Sequence, residues 1–234
     1  VAAGDVDSDA LRRALCLAFD DWKKSPLVLT EPDHTTLCET GSVMSVHIPA
    51  KASVSVAIGA PIGISTRHAD FYALLAGFGV FGGLPFVSRL FQSVRERLGL
   101  TYGISAGIDG VANRCDGYWV VHTTFAPELL ARGREAIERE LARFAARGVS
   151  ARELTEYKQA GLGRHVVGLS SANRLARAIR DVVEEERPVS FLDEYLDVIN
   201  SLTLQDVNSA IKRYVDPGAA HWVAAGAVDE AVWR

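Results

Sequence analysis

Cysteine is scarce in this chain. Its 234 residues include three, Cys16, Cys38 and Cys115, an odd number with no CxxC pair. Neither a disulfide framework nor a cysteine-built zinc site is expected from them. An excess of one charge is also missing, because 25 Lys and Arg face 29 Asp and Glu for a formal net charge of −4. That balance gives no electrostatic footing for nucleic acid or an anionic membrane surface. The longest uncharged stretch, Phe71 to Ser88, is broken by Gly77, Gly79, Gly82, Gly83 and Pro85. Such a run cannot hold one spanning helix, and it is read as core. Metal-ligand spacing is absent too. His34, His47, His68, His122, His165 and His221 show no HxxEH, HExxH or HxH, whereas a zincin-type site needs two imidazoles one turn apart on a helix. His122 is taken as an ordinary strand residue. Gly168-Leu-Ser-Ser171 is not a GxSxG elbow and sits between helices, which removes serine catalysis.

What is present suits a globular chain. Hydrophobic residues make up 48% and charged residues 23%, enough for a core in one large domain or two small ones. Val1–Asp7 has no initiator Met, basic n-region or apolar h-region. It is expected to be a short strand running into a helix cap, as though the chain began inside a larger fold. A helix follows on Leu11, Ala14, Leu15, Ala18, Phe19 and Trp22. The 1–24 unit is assigned to a junction with a preceding homologous half, 25–41 to an extended linker with Pro26 and Pro32, and 42–234 to the main domain.

Alternation predicts strands over Ser42–Ile48, Ala52–Ala60, Tyr102–Asp109 and Gly117–Phe125, arranged as two hairpins, and a closing strand over His221–Val228. Helices are predicted near Arg67–Leu75, from about Leu84 to Leu98, and from Pro127 to just before Gly148. Others follow the capping box Ser150/Glu153, span Asn173–Glu186, and start at Thr203 with Asp206. Strands first and helices in series define an α+β class, a mostly antiparallel sheet with helices packed on one face.

Two sequence features call for a physical account. Val1-Ala2-Ala3-Gly4-Asp5-Val6-Asp7 recurs as Val223-Ala224-Ala225-Gly226-Ala227-Val228-Asp229, with six of seven positions identical. Chance in an Ala/Val/Gly-rich chain is one reading; a duplicated fold whose halves each end on this strand is the other. Gly77-Phe-Gly-Val-Phe-Gly82 spells GxGxxG. A helix-forming segment precedes it rather than a strand, and the next acid, Glu96, is placed within a helix. A glycine-rich turn between helices is expected there, and no nucleotide site.

The chemistry-bearing segment is Ser88 to Gly103. Leu84, Val87, Leu90, Phe91, Val94 and Leu98 form its predicted apolar stripe. At 100° per residue Arg95 falls at the border of that stripe. Gly99 ends the helix and Tyr102 opens the next strand, so guanidinium and phenol can converge across a tight connection. Together they make a donor pair suited to peptide carbonyls or a developing oxyanion. Spacing alone leaves open the plainer reading, a surface arginine beside a half-buried tyrosine.

Ser88-Arg-Leu-Phe, Val94-Arg-Glu and Leu98-Gly-Leu-Thr-Tyr102 resemble the signature of the C-terminal, non-zinc half of pitrilysin/insulinase-type metallopeptidases. That group includes mitochondrial processing peptidase and the core subunits of the respiratory bc1 complex. Val1–Trp22, Asp70-Phe-Tyr-Ala-Leu-Leu, Gly82-Gly83 and Gly148–Glu153 also fall where the family has them. The resemblance implies the processing-peptidase-like metallohydrolase fold, one half of a clamshell around a chamber. It implies that Arg95 and Tyr102 face a zinc held by the other half and hold substrate carbonyls, acting only in the assembled enzyme. No cofactor is implied in this chain; the zinc is expected in a homologous partner half, joined covalently or as a subunit.

The implied substrate is an extended peptide, with neither nucleic acid nor membrane as partner, and a homodimer of the isolated fragment is left open. The implied compartment is bacterial, with the periplasm favoured over the cytoplasm. A scaffold or peptide-binding subunit without a chemical role is the alternative function.

Overall fold

The structure is a computed structural model that describes residues 1–23, 40–112, 115–228 and 233. Among them lie β1 (Val43–His47), β2 (Val54–Pro61), β3 (Ile104–Asp109), β4 (Tyr118–Phe125) and β5 (His221–Gly226). They form a sheet in the order β1-β5-β2-β4-β3. Period-two alternation sets the buried face. Val54, Val56, Ile58 and Ala60 of β2 point into the core, while Ser55, Ala57 and Gly59 point away. In β4 Trp119, Val121 and Phe125 point inward, and His122 and Thr124 outward.

β3 and β4 form an antiparallel pair with Ile104 opposite Thr123 and Asp109 opposite Tyr118. β2 runs antiparallel to both β4 and β5. The predicted hairpin of the first two strands does not form: β5 lies between them, and β1 pairs with it in parallel, Val43 opposite Trp222. Alternation tells which face of a strand is buried, not which neighbour it takes. The sheet is still mostly antiparallel.

Helix α1 (Ser8–Ala18) is capped by the Asp7 carboxylate, which accepts the N–H groups of Asp9 and Ala10 at 3.0 Å each. None of its side chains is buried. Val1–Asp7, expected as a strand, is irregular. A strand needs a neighbour for its backbone groups, and no described strand pairs with this segment. Most of the predicted linker lies outside the described residues.

The core helices are α2 (Phe71–Phe78), α3 (Leu130–Arg147), α4 (Ala151–Gly168), α5 (Ala172–Glu184), α6 (Phe191–Ser201) and α7 (Leu204–Tyr214). Helix α6 was not among the predicted elements. The predicted capping box forms at Ser150/Glu153, and the predicted helix start at Thr203/Asp206 is a second one. Aromatic stacking joins α2 to the sheet, with Phe78 5.9 Å from Trp119, and joins helix to helix, with Phe81 4.4 Å from Phe144 of α3.

The GxGxxG stretch is not a turn. α2 continues into a π-helical segment, Gly79–Gly83, whose glycines allow close approach. A Cβ on Gly82 would lie 2.5 Å from both the amide nitrogen and the Cβ of Ala106 in β3.

Candidate functional site

The segment carrying Arg95 and Tyr102 departs from the predicted α-helix. Pro85–Val87 is a turn, and Phe91–Arg97 is π-helical. Leu98 donates its N–H to Ser93 O at 3.2 Å, five residues back. A π-helical turn is wider than an α-turn and recurs at functional sites, so the predicted stripe is only partly buried. Leu84, Leu90, Phe91 and Val94 are in the core, whereas Val87 is 58% exposed and Leu98 43% exposed. Val87 sits in the turn, ahead of the helical register, and Leu98 sits where the widened turn ends.

Arg95 keeps its place at the border, its side chain 27% exposed. Its guanidinium carbon lies 4.3 Å from the Phe91 ring centroid and 5.1 Å from that of Tyr102. Phe86 meets Phe91 edge-on at 5.1 Å, so Arg95 rests on an aromatic platform and Tyr102 closes over it. The Arg95 Nε is also 3.7 Å from Glu96 Oε1.

Tyr102 reaches this position because its neighbours are tied down. Gly99 takes φ +60°, which turns the chain out of the helix, and Leu100 is buried. Thr101 Oγ1 donates to Thr124 O at 2.6 Å, and Thr123 Oγ1 donates to Gly103 O at 3.0 Å. The segment is thereby stitched to β4, and Tyr102 projects from it 89% exposed. From the next residue, Gly103, a shallow trough of about 610 Å³ runs over the outer sheet surface past Ser55, Ser105, His122 and Thr124. His122 is exposed there.

A second anchor holds the same segment. Arg89 makes two hydrogen bonds to Glu153, Nε to Oε1 at 2.5 Å and Nη2 to Oε2 at 2.6 Å. Burial pushes the Glu153 carboxyl upward, but hydrogen bonds from Arg89 and Ser150 outweigh it and bring the group down to about 2. Neither this clamp nor the Phe91 platform was singled out from sequence. The cue for the clamp is the acid at the third position of the α4 capping box, which has a second oxygen to offer.

The described residues do not fit a zinc ion: no group of three His, Cys, Asp or Glu is placed to hold a metal. No described helix is long and apolar enough to cross a membrane. Chemically the site offers one guanidinium and one exposed phenol as donors, with the Glu96 carboxylate beside the guanidinium.

The fold is that of half-domains found in metallopeptidases. A crystal structure of a peptidase M16 inactive domain from Pseudomonas fluorescens superposes with a TM-score of 0.79 at 21% identity, covering 95% of this chain and 52% of that one. Complex III2 from Candida albicans, bound to Inz-5, superposes at 0.72 with 15% identity, covering 96% and 54%. Residues 1–160 match the family model of the peptidase M16 inactive domain, and the chain belongs to that family. The uncharacterized zinc protease YmxG of Bacillus subtilis (strain 168) is 26% identical over 152 residues, 64% of this chain and 36% of YmxG. The chloroplastic stromal processing peptidase of Pisum sativum is 33% identical over 84 residues, 36% of this chain and 7% of that enzyme. The chain thus spans about a third of the first curated relative and a small part of the second.

Proposed function

We propose that this domain is the catalytically incomplete half of a zinc endopeptidase, completed by a homologous half that carries the metal. The contact between Arg95 and the exposed Tyr102 carries the reading. An extended peptide lies along the chamber, and the Tyr102 hydroxyl donates to the carbonyl of the bond being cut and to its oxyanion. Arg95 donates to a neighbouring backbone carbonyl, and Phe91 limits where its guanidinium swings. The metal chemistry belongs to the other half.

Two features support pairing with a homologous half. Helix α1 buries none of its side chains within this domain. The repeated Val-Ala-Ala-Gly unit also shares its backbone form, with Gly4 at φ +143° and Gly226 at φ +152°. In the second copy the preceding residues pair on both sides within the sheet; the first awaits an equivalent sheet.

The test is Tyr102→Phe in the assembled enzyme, measured as turnover of an unfolded peptide. Loss of one oxyanion donor lowers turnover by ~10²–10³. Unchanged turnover removes Tyr102 from the chemistry and leaves the scaffold reading.

A further inference from the structure

Behind the sheet, on the side away from the trough, α2, α4, α5 and α6 line an open cavity of about 640 Å³. That volume is within the range of small-molecule sites. One face of α4 lines it with Tyr157, Gly161, Arg164, His165 and Gly168, positions that helical spacing brings onto one stripe. The glycines on that stripe make room where larger residues would fill it. Opposite stand Tyr72, Phe191 and Tyr195, and His165 stacks on Tyr195 at 5.2 Å. The guanidinium of Arg187 lies 4.3 Å from the Phe191 ring centroid.

The polar groups of this cavity are mostly donors. Thr66, 4% exposed, also lines it, and its Oγ1 has no hydrogen-bond partner among the described residues. Tyr72, Tyr157 and Tyr195 line the same cavity and bring three phenols to it. Burial pushes the Tyr72 phenol up to about 12 and raises those of Tyr157 and Tyr195, so all three stay protonated. The two acids at the rim are already engaged: Asp181 by Arg180 at 2.5 Å, and Glu185 by Arg187 at 3.0 Å. Arg164 lines the cavity from its exposed side and is in none of the ion pairs between described residues. An aromatic chamber whose uncommitted charge is a guanidinium calls for an apolar body with an anionic head that only accepts hydrogen bonds.

We propose that this cavity binds a small amphiphilic acid, its carboxylate on Arg164 and its apolar body among Tyr72, Tyr157, Phe191 and Tyr195. The site is independent of the peptide-facing surface. Isothermal titration of the purified protein with decanoate tests it, with decan-1-ol as the neutral probe. Saturable one-to-one binding of decanoate is expected, and decan-1-ol binds at least about tenfold more weakly. Arg164→Gln weakens decanoate at least about tenfold, the loss of a charge-assisted hydrogen bond.

Gly161→Phe abolishes binding by filling the chamber. A Cβ at Gly161 meets nothing within 4 Å, and an unchanged or raised melting temperature reports that this variant folds. Gly168→Leu, equally open at its Cβ, repeats the block from the end of α4. Absence of saturable decanoate binding overturns the proposal. So does a folded Gly161→Phe or Gly168→Leu protein that binds as the parent does, or an Arg164→Gln protein of unchanged affinity.

Discussion

Arg89 holds Glu153 through two nitrogens, at 2.5 and 2.6 Å, while the same carboxylate accepts the Ser150 N–H at 2.8 Å. One side chain thus caps α4 and fastens the segment that carries Arg95. With the Glu153 pKa lowered from 4.5 to about 2, its contribution is fully present above pH 4.5 and is lost as pH falls toward 2. Urea midpoints between pH 5 and pH 2.5 should fall for the parent. Glu153→Gln, destabilised by about 1–3 kcal/mol at pH 7, should show a flatter acid profile because that titration is gone.

The contact of Arg95 with Tyr102 separates stability from chemistry. Tyr102 is 89% exposed, so Tyr102→Phe should change folding stability by no more than about 0.5 kcal/mol. It keeps the ring over Arg95 and removes only the hydroxyl. Tyr102→Ala removes both. A double-mutant cycle of Arg95→Ala with Tyr102→Ala, read by denaturant unfolding, should give a coupling of about 0.5–1 kcal/mol. A coupling of zero would mean that the ring does not hold the guanidinium.

Thr101 is the hinge pin of the same site. Its Oγ1 donates to Thr124 O at 2.6 Å and lies 3.2 Å from Thr123 Oγ1. Thr101→Val removes the donor and leaves a β4 carbonyl without it, at a cost of about 1–2 kcal/mol. Amide exchange should quicken at Tyr102 and Gly103 while β2 and β5 keep their protection. Uniform exchange across the sheet would assign Thr101 to global stability instead.

Local chemistry made much of this legible. Ser150/Glu153 and Thr203/Asp206 announce two helices because the cap needs those atoms at that spacing, and alternation in Val54-Ser-Val-Ala-Ile58 announces a half-buried strand. Pairing was less legible. β5 arrives from the far end of the chain to separate β1 from β2, and nothing within Ser42–Ala60 reports that. Helix α6 does carry a sequence sign, because Phe191, Leu192, Tyr195, Val198 and Ile199 have helical spacing. The site was legible as two residues seven apart, but its support was not. A π-helical turn has no simple sequence sign, so the outward turn of Val87 and Leu98 and the Phe91 platform emerge only from the backbone.

The glycines supply the sharpest contrast between sequence pattern and structure. Gly82, the last glycine of a string that imitates a nucleotide loop, packs against β3, where an added Cβ would meet Ala106 nitrogen and Cβ at 2.5 Å each. Backbone cannot swing aside as a flexible side chain can, so Gly82→Ala should cost about 1–3 kcal/mol. Gly161, inside α4 with nothing within 4 Å of the same added atom, should respond in the opposite sense. Gly161→Ala replaces a poor helix former by the best one and should stabilise by about 0.5–1 kcal/mol. Urea midpoints of the two variants decide the matter. A neutral Gly82→Ala would show that the helix does not lie against β3 as described, and the string would then need another explanation.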